Sequence, residues 1–88
     1  MDQAMLDTIE QKLHVFLLEK FPLARKAHVS RDTSLLESGI LDSLGILDVV
    51  AFLEAEFAIM IADEELVPDN FRSLGTLSAF VRQKSGAE

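Results

Sequence analysis

Three stretches of this chain place apolar residues at spacings of three and four, and between the first two lies a run, Pro22 to Leu41, with no period at all. An amphipathic helix must bury its apolar stripe, so three such stripes in 88 residues predict a small bundle of helices packed on one another. In the first stretch Met5, Leu6, Ile9, Leu13, Phe16 and Leu17 recur with Asp2, Asp7, Glu10 and Lys12 between them. This helix should end near Phe21-Pro22, because proline disfavours helical geometry in the residue before it and has no backbone donor of its own. From Pro22 to Leu41 turn formers alternate with the apolar residues Val29, Leu35-Leu36 and Ile40-Leu41. A structureless loop of that length is unusual in a small domain, so the apolar pairs are expected to pin it to the core, with a helical turn near Ser34.

Asp42-Ser43 then supplies an N-cap ahead of Leu44, Ile46, Leu47, Val49, Val50, Leu53 and Phe57, which predicts a second helix running to about Ala58. On a helical wheel Ile46, Val49, Val50, Leu53 and Phe57 fall within an arc of about 100°, the width of a core-facing stripe. Ser43, Leu47, Ala51 and Glu54 fall on a neighbouring arc that should face solvent, an apolar and acidic mixture beside a serine. After Ile59-Met60-Ile61 the pattern breaks at Asp63-Glu64-Glu65 and Pro68, where Leu66 and Phe71 should anchor a short turn. A last helix is expected from about Leu74 to Lys84 on the stripe Leu77, Phe80 and Val81, with Ser85-Gly86-Ala87-Glu88 fraying. The expected fold is therefore all-α: a single domain over residues 1–88, a small four-helix bundle of three main helices plus one short helix, with a long loop between helices one and two.

Charge narrows the function. The formal net charge is −7, and the ten acidic residues from Asp32 to Asp69 occur without one Lys or Arg among them. Such a surface repels nucleic-acid phosphates and anionic membranes and suits basic partners. No apolar run approaches the length of a membrane span, and the first residues lack the basic and apolar pattern of a secretory signal, so a cytoplasmic protein is expected. There is no cysteine, hence no disulfide framework, no thiolate metal site and no cysteine nucleophile. His14 and His28 have no neighbouring set of nucleophiles or ligands, and the acidic cluster from Asp63 to Asp69 lacks the alternating oxygen ligands and central glycine of a calcium loop. Neither a catalytic set nor a metal site is expected, and the chain is not read as an enzyme.

The run Leu35-Leu36-Glu37-Ser38-Gly39-Ile40-Leu41-Asp42-Ser43-Leu44, followed by a helix ending Leu53-Glu54-Ala55-Glu56-Phe57, resembles the prosthetic-group site and second helix of acyl carrier proteins. Asp42-Ser43-Leu44 matches that family's Asp-Ser-Leu motif, and the order of helix one, long loop, short third segment and final helix is similar as well. The resemblance implies that Ser43 receives 4′-phosphopantetheine from coenzyme A through a separate magnesium-dependent phosphopantetheinyl transferase, and that acyl groups then ride as thioesters on the arm's thiol. The physics of the position agrees, since a phosphodiester at Ser43 would sit at a helix N-terminus, where free N–H groups and the helix dipole favour an anion. Asp42 would repel that phosphodiester; capping the helix and offering the transferase a negative contact are the two roles that would compensate.

Leu44, Leu47 and Ala51, with Glu37, Asp48 and Glu54 around them, form the candidate docking surface. The resemblance implies basic patches on the transferase and on a loading ligase, synthase or thioesterase, with Leu44 as the apolar anchor. Charge complementarity of this kind speeds encounter while leaving each affinity weak. Ile46, Val50, Leu53, Leu66, Phe71 and Leu77 could instead line a cavity for a fatty chain, or simply pack as core. The chain departs from many fatty-acid carriers of the family at Gly45, where those have an acidic residue, and in the aliphatic first half of helix two. These features look more like discrete carriers of specialised pathways, some of which load amino acids. Two alternatives stay open: an aminoacyl or peptidyl carrier, and an unmodified acidic helical module whose Ser43 is only a cap. Nothing in the sequence demands more than a monomer.

Overall fold

The structure, a computed structural model, describes residues 8–85. They form α1 (Thr8–Lys20), α2 (Pro22–Ala27), α3 (Ser43–Phe57) and α4 (Leu74–Ser85), with 3-10 turns at Asp63–Glu65 and Pro68–Phe71 and no strand among the described residues. Met5, Leu6, Asp2 and Asp7 of the first stripe, and Gly86-Ala87-Glu88 of the tail, lie outside the described residues.

Each main helix buries the stripe its spacing predicts. Leu13 and Leu17 of α1, Val49 and Leu53 of α3, and Leu77, Phe80 and Val81 of α4 are buried, and α1 packs against α4 with α3 alongside. Burying a leucine or valine fully contributes about 1.5–3 kcal/mol, so these side chains carry the fold. Ile46, Val50 and Phe57 are half-buried at the edges of the α3 stripe. The buried side of α3 is wider than the wheel predicts. Gly45 is buried and Phe52 stacks on Phe16 of α1, with ring centroids 4.1 Å apart and planes 11° from parallel. A second surface of α3 thus faces α1.

The long connection differs from expectation in its first part. Proline at the first position begins α2 here, because the amide it lacks is one that a helix start leaves unpaired anyway. Only Ala24 is buried in this helix, so no apolar period announces it. It closes at His28, whose φ of 53° is left-handed. The rest of the connection is pinned as expected: Val29, Leu35, Ile40 and Leu41 are buried, and a turn follows Ser34. Backbone bonds tie it to the far side of the core, Leu35 N–H to Arg72 carbonyl at 2.8 Å and Gly75 N–H to Arg31 carbonyl at 3.0 Å. The short segment after α3 is two 3-10 turns, with Phe71 fully buried and Leu66 half-buried as its anchors. Ser73 and Thr76 then cap α4 reciprocally, Ser73 N–H donating to Thr76 Oγ1 at 2.9 Å and Thr76 N–H to Ser73 Oγ at 3.2 Å.

Candidate prosthetic-group site

The start of α3 is built by the loop that delivers it. Leu41 N–H donates to the Leu35 carbonyl at 2.9 Å and both side chains are buried, which fixes the chain one residue before the helix. Asp42 follows in extended conformation as the N-cap: its Oδ1 accepts the Gly45 N–H at 2.7 Å, and its carbonyl accepts the Ile46 N–H at 2.9 Å. A cap of this kind stabilises a helix by about 1 kcal/mol. Ser43 is the first helical residue and its side chain is exposed. Of the amides that a helix start leaves open, that of Gly45 is therefore occupied by the Asp42 side chain, while the Ile46 bond is the first within the helix. The amides of Ser43 and Leu44 have no partner among the described residues.

This arrangement suits an anion esterified to the serine. The hydroxyl is accessible, the free amides and the dipole of a 15-residue helix point at it, and the Asp42 carboxylate is bound to Gly45. Such an end favours an exposed negative group by about 0.3–1 kcal/mol. The residues present thus fit a phosphodiester on Ser43, with the Ser43 and Leu44 amides as the donors.

The structure brings most of the expected docking residues to one exposed face. Leu44 is 73 % exposed and Leu47 is 55 % exposed, and Asp48 and Ala51 are exposed beside them. Glu37 is exposed on the loop turn, its N–H bonded to Ser34 Oγ at 3.1 Å. Glu54 differs: it is half-buried, and its Oε2 accepts the Ile61 N–H at 2.9 Å. Of the residues that could have lined a cavity, Leu53, Phe71 and Leu77 are completely buried in the packed core, and Ile46, Val50 and Leu66 are half-buried against it.

Several exposed apolar residues, Val15, Leu23, Met60 and Val67, escaped the sequence reading. Met60, 84 % exposed, lies between buried Ile59 and half-buried Ile61 just past α3. Its burial alternates with period two, the mark of extended chain, and Ile59-Met60-Ile61 shows no polar contrast that would reveal it. His14 is half-buried and His28 exposed, and no group of three His, Cys, Asp or Glu able to hold a metal ion occurs among the described residues. Nor is any described helix long and apolar enough to cross a membrane.

Comparison with known proteins agrees with this geometry. A family model described as "phosphopantetheine attachment site" matches residues 17–81, a span that contains the whole loop and α3. The "Probable acyl carrier protein PigG" of a Serratia species is 32% identical over 75 residues, covering 85% of this chain and 86% of that protein. Among solved structures, a chain in one described as "Crystal structure of FAD-dependent dehydrogenase" is 34% identical with a TM-score of 0.59, over 64% of this chain and 79% of that one.

Proposed function

The chain belongs to the phosphopantetheine attachment site family of carrier proteins, with covalent 4′-phosphopantetheine as its cofactor, and from that membership we propose that Ser43 bears the group in a single-domain, monomeric cytoplasmic carrier of acyl intermediates in fatty-acid, polyketide or other specialised biosynthesis. The observation that carries the assignment of Ser43 is its place as an exposed hydroxyl at the first position of α3, beside two free amides and a cap that holds Asp42 aside. When attached, the arm supplies a thiol to which acyl groups are joined as thioesters, a function the cysteine-free chain has no side chain of its own to perform.

The residues around Ser43 do the rest. Asp42 holds the first turn of α3 closed and presents its free carboxylate edge to the transferase. Leu44, Leu47, Asp48 and Ala51 offer a partner an apolar centre with acid at its margin, Glu37 adds charge from the loop, and Glu54 contributes what its bond to Ile61 leaves free. Carriers of this family interact with biosynthetic enzymes; here these are the transferase and a loading ligase, synthase or thioesterase, each with a basic docking patch, and the chemistry resides in them. We count among the partners an enzyme of the FAD-dependent dehydrogenase class, which would oxidise the carried group, a reading supported by the similarity to a chain in a structure so described.

The cargo is an acyl group in the first reading and an aminoacyl group in the second; Gly45 and the aliphatic first half of α3 resemble carriers of specialised pathways, some of which load amino acids. Holo protein offered separately to amino-acid-adenylating and fatty-acyl-adenylating ligases, each with ATP and its substrates, distinguishes them by intact mass. Gain of one aminoacyl residue with no acyl gain selects the second reading; the reverse selects the first.

A further inference from the structure

Gly45 departs from the family resemblance, and the structure gives a physical reason for the departure. A Cβ at this buried glycine would lie 3.0 Å from Cε1 of Phe21, 3.2 Å from Oδ1 of Asp42 and 3.4 Å from Cδ2 of Leu41. Carbon atoms pack best at about 3.5–4.0 Å, so a side chain here must displace the ring, the cap or both. The ring is itself restrained. Phe21 joins α1 to α2, its N–H bonded to the Leu17 carbonyl and its carbonyl to the Ala24 N–H, each at 2.9 Å. The ring meets Phe16 edge to face at 6.0 Å, and Phe16 stacks on Phe52 of α3. One end of this aromatic chain thus rests on α3 at Phe52 and the other on its first turn at Gly45.

We propose that Phe21 is a positioning residue for attachment at Ser43: its ring, seated against Gly45, sets the orientation of the first turn of α3 and with it the serine hydroxyl. The inference rests on Ser43 being the attachment residue. Transfer forms a bond from Ser43 Oγ to phosphorus and breaks a P–O bond of the coenzyme A diphosphate. It releases adenosine 3′,5′-bisphosphate and passes the hydroxyl proton to a base of the transferase. Rate in such a displacement depends steeply on where the attacking oxygen lies. Glycine is among the poorest helix formers, so its presence inside the first turn gives up helix propensity in return for the seat of the ring. Residues 21 and 45 are therefore a matched pair.

The test compares parent, Gly45→Ala, Phe21→Leu and the double variant as apo proteins, with coenzyme A, magnesium and a promiscuous phosphopantetheinyl transferase. Initial rates of mass gain give kcat and KM for the carrier, and thermal unfolding gives the stability of each. Leucine keeps apolar bulk at the α1–α2 corner while withdrawing the ring edge. The expected result is that Gly45→Ala lowers kcat about threefold to tenfold, with KM within about twofold of the parent. Its Tm stays near that of the parent, because the helix propensity alanine adds offsets the cost of displacing the ring or the cap. In the Phe21→Leu background the same substitution changes kcat less than about twofold. An unchanged kcat for Gly45→Ala, an equal loss in both backgrounds, or a loss that tracks Tm overturns the proposal. A parent that gains no phosphopantetheine overturns the Ser43 reading itself, and is distinguished because it appears before any variant is compared.

Discussion

Glu54 Oε2 accepts the backbone N–H of Ile61 at 2.9 Å, so a carboxylate on the solvent side of α3 holds the chain that leaves the same helix. The helix closes at Ala58 with a left-handed φ of 54°, and the reversal returns Ile61 to within one side chain of Glu54. Removing the acceptor strands this partly buried amide. Glu54→Ala is expected to lower stability by about 1–2 kcal/mol in urea unfolding. Glu54→Gln keeps an oxygen acceptor and should lose less than half as much. A partner that reads the charge should bind Glu54→Gln more slowly, with the difference shrinking in salt.

Asp42 separates in the same manner into cap and contact. Asp42→Ala loses the 2.7 Å bond to the Gly45 amide and should cost about 1 kcal/mol. Asp42→Ser keeps a capping oxygen and should unfold close to the parent. If the carboxylate also meets the transferase, both variants are modified more slowly, and comparison of urea midpoints with modification rates resolves the two roles.

Much of this was legible because burial follows the helical period. Leu13 and Leu17, Val49 and Leu53, and Leu77 and Val81 are buried where their spacing places them, and α3 begins and ends within a residue of expectation. The short helix Pro22–Ala27 was not legible, since proline both ends one helix and starts the next and only Ala24 turns inward. The contacts of Glu54 with Ile61 and of Phe21 with Gly45 depend on how separate elements meet in space. Spacing along one helix carries no trace of either, and the Phe16–Phe52 stack, which widens the buried side of α3, is hidden for the same reason.

Glu65 gives the fold a pH dependence of known sign. Its Oε1 accepts from Lys84 Nζ at 2.8 Å and from the Ala62 amide at 2.9 Å, joining the first 3-10 turn to α4. The hydrogen bond from Lys84, then that from Ala62, hold its pKa below the usual glutamate value against a smaller opposing effect of desolvation. A carboxyl with a lowered folded pKa stabilises the fold fully above its unfolded value, about 4.3, and loses that contribution as pH falls through the folded value. The Tm should therefore fall on acidification from about pH 6 to about pH 3, more steeply for the parent than for Lys84→Met. Equal slopes would remove the ion pair from the account.

Leu44 should matter to partners and hardly to folding. At 73 % exposure it has little packing to lose, so Leu44→Ala is expected to unfold within about 0.5 kcal/mol of the parent. The same variant should raise the transferase KM for the carrier severalfold, as loss of an apolar docking anchor would. Steady-state modification kinetics beside urea unfolding check both halves of the expectation.

The most direct measurement is intact mass of the parent and of Ser43→Ala after incubation with coenzyme A, magnesium and a promiscuous phosphopantetheinyl transferase. Addition of one phosphopantetheine to the parent and none to Ser43→Ala is the predicted result. Equal addition to both would place the arm on another residue, and no addition to a folded, previously unmodified parent would contradict Ser43 as the attachment site.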